Sequence, residues 1–400
     1  MSTRNKKHQR RKMSKRQKSL IWIISILFFL VSVYCTAVFS NIPFIKKWRG
    51  IYIETAMTTR HQWLATAFIP RYIIDDVLRQ AMEQQAIQDS LESKWDSEEL
   101  EIDTTIPDNK TEEELFYEKF WEVDETLLEK YMSDNGISTY EDLLIENLDG
   151  SINITTTFGE KIKVLDSENN LLIVEVTGEM YKGLLAIIKN PEQVTVAKAQ
   201  SLGSHGDLIT KFAEDNNALV AINASGFADE GFKGNGGVVL GSMVLDGVEH
   251  GNPIAASKFF GFKEDNKLYI GNYNTQTIAD YKWGIQFTPA LIVDGAKYVQ
   301  GTFGYGLQPR SAIGQTINGE FLMLIVDGRQ VVHSVGATVD DLAAIMLRHK
   351  AYQAMNLDGG SSSIMNYRGK TINRPSSTNH LGRYLPNAFI CKFANDVESN

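Results

Sequence analysis

Lys161-Ile-Lys-Val-Leu165, Leu171-Leu-Ile-Val-Glu-Val176 and Gly183-Leu-Leu-Ala-Ile-Ile188 are three short, β-branched and aliphatic runs, with turn formers at Gly159, Asn169-Asn170 and Asn190-Pro191. Runs of this length between turn residues read as strands. Ile152-Asn-Ile-Thr-Thr-Thr-Phe158 precedes them as another such run, Val194-Thr-Val196 continues the series, and further runs follow at residues 218–222, 238–244, 267–272, 290–293, 321–326 and 388–393. Two segments break the pattern with apolar residues at helical spacing, one between Asp207 and Ala218 and one over residues 341–350. The expectation is an α+β or mixed α/β domain over residues 151–400, with a large sheet and few helices.

The two helical segments echo each other. Ser201-Leu-Gly203 leads through Asp207 to Ala218, Ala221, Asn223 and Gly226. Ser334-Val-Gly336 leads through Asp340 to Ala351, Ala354, Asn356 and Gly359, and the spacing from the first alanine onward is identical. This predicts two similar helix-to-strand units that deliver both asparagines to one side of the sheet.

Upstream of this domain the charge is uneven. Residues 1–18 hold nine Lys or Arg and no acid, and residues 20–39 carry no charge at all. About 20 such residues span a bilayer as a helix. The basic flank predicts a cytoplasmic tail at 1–18, a transmembrane helix at 19–40 and everything beyond outside the cell. A cleaved signal peptide is the competing reading, although the apolar run exceeds the usual h-region. The basic tail is accounted for by topology and anionic lipid, which leaves no need for a nucleic acid.

Residues 51–88 look helical through Trp63, Leu64, Phe68, Tyr72, Ile73 and Leu78. Residues 89–149 then hold twenty-one acids against four lysines, a local balance of −17 beside −9 for the whole chain. Residues 41–150 are therefore expected to be an extracellular, helical, acidic stalk, with dimerisation through it as an alternative. Cys35 and Cys391 are the only cysteines. One lies in the membrane run, so the exported part has no internal disulfide and no cysteine-built zinc site, a pattern suited to a Gram-positive surface protein.

Chemistry is expected at Asn356-Leu-Asp-Gly-Gly-Ser-Ser-Ser363, where a carboxylate stands beside two glycines and three hydroxyls just past an element. Pro309-Arg-Ser-Ala-Ile-Gly314, Val326-Asp-Gly-Arg329, Ala221-Ile-Asn-Ala-Ser-Gly-Phe227 and Gly382-Arg-Tyr-Leu-Pro-Asn-Ala388 go with it. In this order the five motifs resemble the phosphodiester glycosidase family, over residues 201–391. Ser361 stands where such families usually carry a third glycine.

The resemblance implies cleavage between an anomeric carbon and a phosphodiester oxygen. The departing phosphate monoester is already a stable anion, so a fixed cation replaces much of the proton donation that ordinary glycosidases need. Arg310 is the first expectation for that cation, followed by Arg383 and Arg329, because a guanidinium binds two phosphate oxygens in a planar fork. Backbone N–H groups from Gly359 and Gly360 into Ser361 and Ser362 are expected to form an anion nest. Asp358 is expected to activate water or stabilise an oxocarbenium-like centre, with Asp327 as its partner. Asn223 is read either as a contact to sugar or water, or as a buried loop-fixing residue. The serines lack a G-x-S-x-G frame and the histidines are scattered. No cofactor is indicated, while an oxygen-liganded Ca²⁺ or Mg²⁺ at Asp327 or Asp358 is left open.

The activity expected is that of a membrane-anchored extracellular glycosidase acting on a phosphorylated surface glycan, teichoic acid or exopolysaccharide. A non-catalytic wall-polymer module and a metal-dependent phosphodiesterase are the alternatives.

Overall fold

A computed structural model describes residues 14–59, 61–95, 110–230, 233–255 and 257–398. The basic residues 1–13 and the acidic residues 96–109 lie outside them. The chain divides into two compact units, Met1–Val77 and Leu78–Asn400.

In the first unit, helix Lys15–Phe39 is apolar on every side and exposed along nearly all of its length, and it is long enough to cross a membrane. Ser14 caps it reciprocally with Gln17. The expected helical stretch at 51–88 falls within three helices, Pro43–Met57, Trp63–Thr66 and Arg71–Asp89, the last of which contains the division between the units. Arg49 Nη1 donates to the carbonyls of Val38 and Ser40, at 2.7 and 2.9 Å, which closes the turn after the apolar helix.

The second unit has the expected mixed character, but the run at 152–158 is no strand and makes only isolated bridges, Thr156 with Val123 and Thr155 with Lys161. A nine-stranded antiparallel sheet runs in the order Leu144–Glu146, Lys161–Asp166, Leu171–Thr177, Lys182–Ile188, Phe321–Val326, Arg310–Thr316, Ala351–Asn356, Ala290–Val293 and Ala296–Lys297. A second sheet orders Lys370–Thr371, Met365–Tyr367, Ala218–Asn223, Asn387–Lys392 and Val194–Lys198. A third orders Leu268–Asn272, Lys258–Lys263, Tyr281–Phe287, Gly241–Leu245 and Val248–Asn252.

One face of the large sheet, through Ile173, Met323, Ile325 and Met355, meets Ile222 and Phe389 of the second sheet and Phe262 and Trp283 of the third. Its other face is covered by three helices, Glu112–Lys119, Glu125–Asn135 and Val339–Arg348. Strands covered on both faces gain from apolar residues at every position. Phe321-Leu-Met-Leu-Ile-Val326 accordingly reads as an unbroken apolar run and is buried throughout.

The repeat seen in the sequence is structural. Helix Ile209–Asp215 leads into strand Ala218–Asn223, and helix Val339–Arg348 leads into strand Ala351–Asn356. Each unit is preceded by an isolated antiparallel bridge, Asp207 with Leu385 and Ala337 with Gln308. The loops after the two asparagines touch, for the Asp358 N–H donates to Ala224 O at 3.2 Å.

The acidic segment is not a stalk in the part the structure describes. Phe116, Phe120, Leu128, Met132 and Ile145 are buried against the large sheet, and Leu144–Glu146 is that sheet's edge strand. Lys189, itself buried, takes Glu122 at 2.7 Å and Glu320 at 2.7 Å. The boundary expected at 150/151 falls inside the second unit. Net charge misled because the acids of helices Glu112–Lys119 and Glu125–Asn135 stay at or near the surface, while Phe116, Leu128 and Met132 are buried and set the packing. Phe120→Ala is expected to cost about 3–5 kcal/mol, read as a lower urea midpoint at unchanged m-value; a spacer would leave the midpoint where it was.

Candidate active site

Arg310 pairs with Val326 and Ala312 with Asn356, so Asp327 and Asp358 leave the same end of the large sheet, on either side of strand Arg310–Thr316. Two interstrand spacings put their backbones roughly 10 Å apart. Asp358 follows strand Ala351–Asn356 by two residues and begins a tight turn. A Cβ on Gly359 would meet Pro309 O at 2.8 Å, and Gly360 has φ +63°, so both positions need glycine for close approach and for handedness.

Burial raises the Asp358 carboxyl to about 6, against hydrogen bonds from Ser362 and the Gly359 N–H and the attraction of Arg383; Asp229 adds to the rise. A carboxyl so placed exchanges its proton near neutral pH, which suits acid–base work.

Arg329 is exposed and stands over this turn. Its Nε and Nη2 donate to Gln308 Oε1 at 3.1 and 2.8 Å, its Nη1 reaches Ser361 Oγ at 3.4 Å, and it is electrostatically coupled to Asp358. A φ of +59° at Arg329 turns the chain sharply after Asp327-Gly328. Ser361, where the resembled family usually has a further glycine, thus supplies a hydroxyl to the arginine. Arg383 lies over the Phe227 ring and forks onto Asp229 at 2.9 and 3.0 Å, with a third bond to Gly234 O.

The structure reorders the expected cations. Arg310 is only 5% exposed, and its donors go to backbone, Nε to Ala337 O and Nη2 to Tyr305 O and Gly306 O. It ties the loop before its own strand to the 336–338 segment, and burial lowers its guanidinium to about 10. Arg329 is the arginine exposed beside Asp358.

Asp327 is likewise committed. Its Oδ2 lies 2.7 Å from His333 Nε2, and its Oδ1 accepts from Asn373 Nδ2 at 2.9 Å and from the Arg374 N–H at 3.0 Å. Burial raises its pKa while these partners oppose the rise. A carboxylate held on both oxygens orders the loops around it more readily than it attacks.

The expected anion nest is largely spent internally. The Gly359 N–H serves the Asp358 carboxyl, that of Gly360 donates to Pro309 O, and that of Ser362 to Gly359 O. Asn223 is fully buried and takes the loop-fixing role, since its Nδ2 donates to Asp358 O at 2.6 Å and its Oδ1 accepts from Ser311 Oγ at 2.8 Å.

Sequence reasoning missed Asp229, His333, Asn373 and Arg374. None sits in a motif of its own, and each joins the site through a loop. Among the described residues no group of three or more His, Cys, Asp or Glu gathers to hold a metal ion.

A half-buried carboxyl with a raised pKa beside an exposed guanidinium at the end of a sheet marks the candidate site and gives it an affinity for anions. Residues 216–392 match the model of the phosphodiester glycosidase family, so the resemblance carried by the motifs is shown over that region. The SPbeta prophage-derived uncharacterized protein YomE of Bacillus subtilis strain 168 is 27% identical over 186 residues, 42% of this chain, and the chain spans 27% of that relative's length. The zebrafish N-acetylglucosamine-1-phosphodiester alpha-N-acetylglucosaminidase catalytic domain, auto-inhibited by its pro-peptide, has a TM-score of 0.46 at 20% identity over 56% of this chain and 82% of its own. A hypothetical protein from Synechocystis has a TM-score of 0.46 at 16% identity, over 57% of this chain and 63% of its own.

The raised Asp358 predicts a stability signature. Its folded value lies above the ordinary carboxylate value, so the stability it contributes is full below about pH 4 and is lost as pH rises through about 6. Asp358→Asn is expected to raise Tm above pH 7, the gain in stability being at most about 3 kcal/mol, with the Tm values of parent and variant converging near pH 4. A variant that melts lower at pH 7.5 than at pH 4, relative to the parent, would contradict the burial argument.

Proposed function

We propose that this chain is a membrane-anchored extracellular glycosidase that hydrolyses the anomeric C–O bond of sugar-1-phosphodiesters in a surface glycopolymer, teichoic acid or phosphorylated exopolysaccharide, of a Gram-positive cell. The observation that carries this reading is the exposed Arg329 guanidinium at the Gly360-Ser361 turn, electrostatically coupled to the half-buried Asp358. The family match over residues 216–392 supports the reaction class. The apolar helix Lys15–Phe39 supports the anchor.

In this reading Arg329 binds the phosphate and Arg383 adds positive field across the site. The phosphate leaves as a monoester anion, so no strong proton donor is required. Ionised Asp358 then deprotonates the incoming water or stabilises positive charge on the sugar ring. Asn223 holds the Asp358 backbone, and Asp327, with His333 and Asn373, orders the neighbouring loops.

Hydrolysis in ¹⁸O-labelled water separates this from its rivals. Label is expected in the released sugar; label in the phosphate would mark a phosphodiesterase breaking P–O, and binding without turnover would mark a polymer-holding module. Asp358→Asn is expected to abolish turnover while sparing binding. The parent's kcat is expected to fall about tenfold per unit below about pH 6, because the working form is the carboxylate. Arg329→Ala is expected to raise KM about tenfold or more with Tm unchanged, whereas Arg310→Ala lowers Tm.

A further inference from the structure

Val331 and Val332 are 90% and 103% exposed, more than any other large apolar side chain among the described residues, the apolar N-terminal helix included. They form the tip of a tight hairpin closed by the bridge between Gln330 and Ser334. Such tips ordinarily carry Asn, Asp or Gly. Single exposed valines need no explanation, but this hairpin is rigidly held. The Arg329 N–H donates to Val335 O at 2.9 Å, Gln330 Nε2 to Arg374 O at 2.7 Å and Ser334 Oγ to Asp327 O at 2.6 Å, while His333 meets Asp327 at 2.7 Å. The base of the hairpin is Arg329 itself. Arg383, the second candidate cation, has its own exposed apolar neighbours in Leu381 and Tyr384.

We infer that the Val331–Val332 tip is the subsite for the alcohol on the far side of the phosphate, and that this alcohol is apolar. A phosphodiester has two ester oxygens. With the sugar at Asp358 and the phosphate at Arg329, the second ester is assigned to the hairpin that Arg329 begins, where two bare valines lower the free energy of an alkyl chain and offer nothing to a polyol. The substrate is then the lipid-linked form of the glycopolymer. Water supplies hydroxyl to the anomeric carbon, its proton leaves through Asp358, and the phosphate departs as a monoester still bearing the alkyl group. The inference rests on the reaction proposed above.

The test compares methyl and octyl diesters of one sugar 1-phosphate with the full chain in a single detergent. Octyl is expected to exceed methyl in kcat/KM by about tenfold or more, since even a few methylenes in contact with the tip amount to that. Val331→Ser with Val332→Ser is expected to erase this advantage and leave the methyl diester unchanged. Equal rates for the two diesters in the parent would overturn the inference and leave the reaction standing, as would an octyl advantage that survives the double substitution and so belongs to the micelle. Cleavage of neither diester would overturn the reaction and the subsite together. Calorimetry with methyl and octyl phosphate reads the subsite without turnover: octyl phosphate is expected to bind more tightly to the parent and no more tightly than methyl phosphate to the variant, and equal binding to the parent refutes the subsite.

Discussion

Asn223 ends a strand of the second sheet, and its amide reaches across to the turn that ends a strand of the first. It donates to Asp358 O and accepts from Ser311 and the Ile364 N–H, so one side chain ties its own strand to strand Arg310–Thr316 and to both ends of the 357–364 connection. The Asp358 N–H returns a bond to Ala224 O. Buried amides are costly unless every donor and acceptor is matched, and here the matching is what locks the two sheets at the end where the site forms. The position of the carboxyl depends on this node.

Partial burial of Asp358 then sets its protonation behaviour. A carboxylate removed from water is destabilised, and neighbouring dipoles offset only part of that. Stability is given up locally for a group that can exchange a proton near neutral pH, as functional sites generally do. The arginines divide the work by exposure. Arg310, inside the protein, spends its donors on backbone carbonyls and gives the strand a fixed end, while Arg329, on a left-handed turn, keeps its guanidinium at the surface.

The acidic segment shows how a composition argument fails. The balance of −17 over residues 89–149 does not separate the acids of helices Glu112–Lys119 and Glu125–Asn135 from the apolar residues those helices bury. Their inward side is aromatic, and Lys189 neutralises the one acid that must be buried there, Glu122, whose pKa burial raises. Averaging charge along the chain discards the period of 3.6 that separates the two faces.

The strands made of unbroken apolar runs, the two helix-to-strand units, the apolar N-terminal helix and the Asp-Gly-Gly turn were legible in the linear sequence, because periodicity and turn chemistry are local properties, whereas strands such as Lys258–Lys263 and Tyr281–Phe287 were not. The turn's position at the end of a strand followed from the same signals. Which arginine faces the carboxyl was decided only by the tertiary structure, because Arg310 and Arg329 differ in burial and in partners and not in residue type. The same holds for Asp327, whose His333 and Asn373 partners stand six and forty-six residues away. Sequence separation carries no distance in space once strands are paired, so the groups that complete this site became visible only when the sheets were assembled.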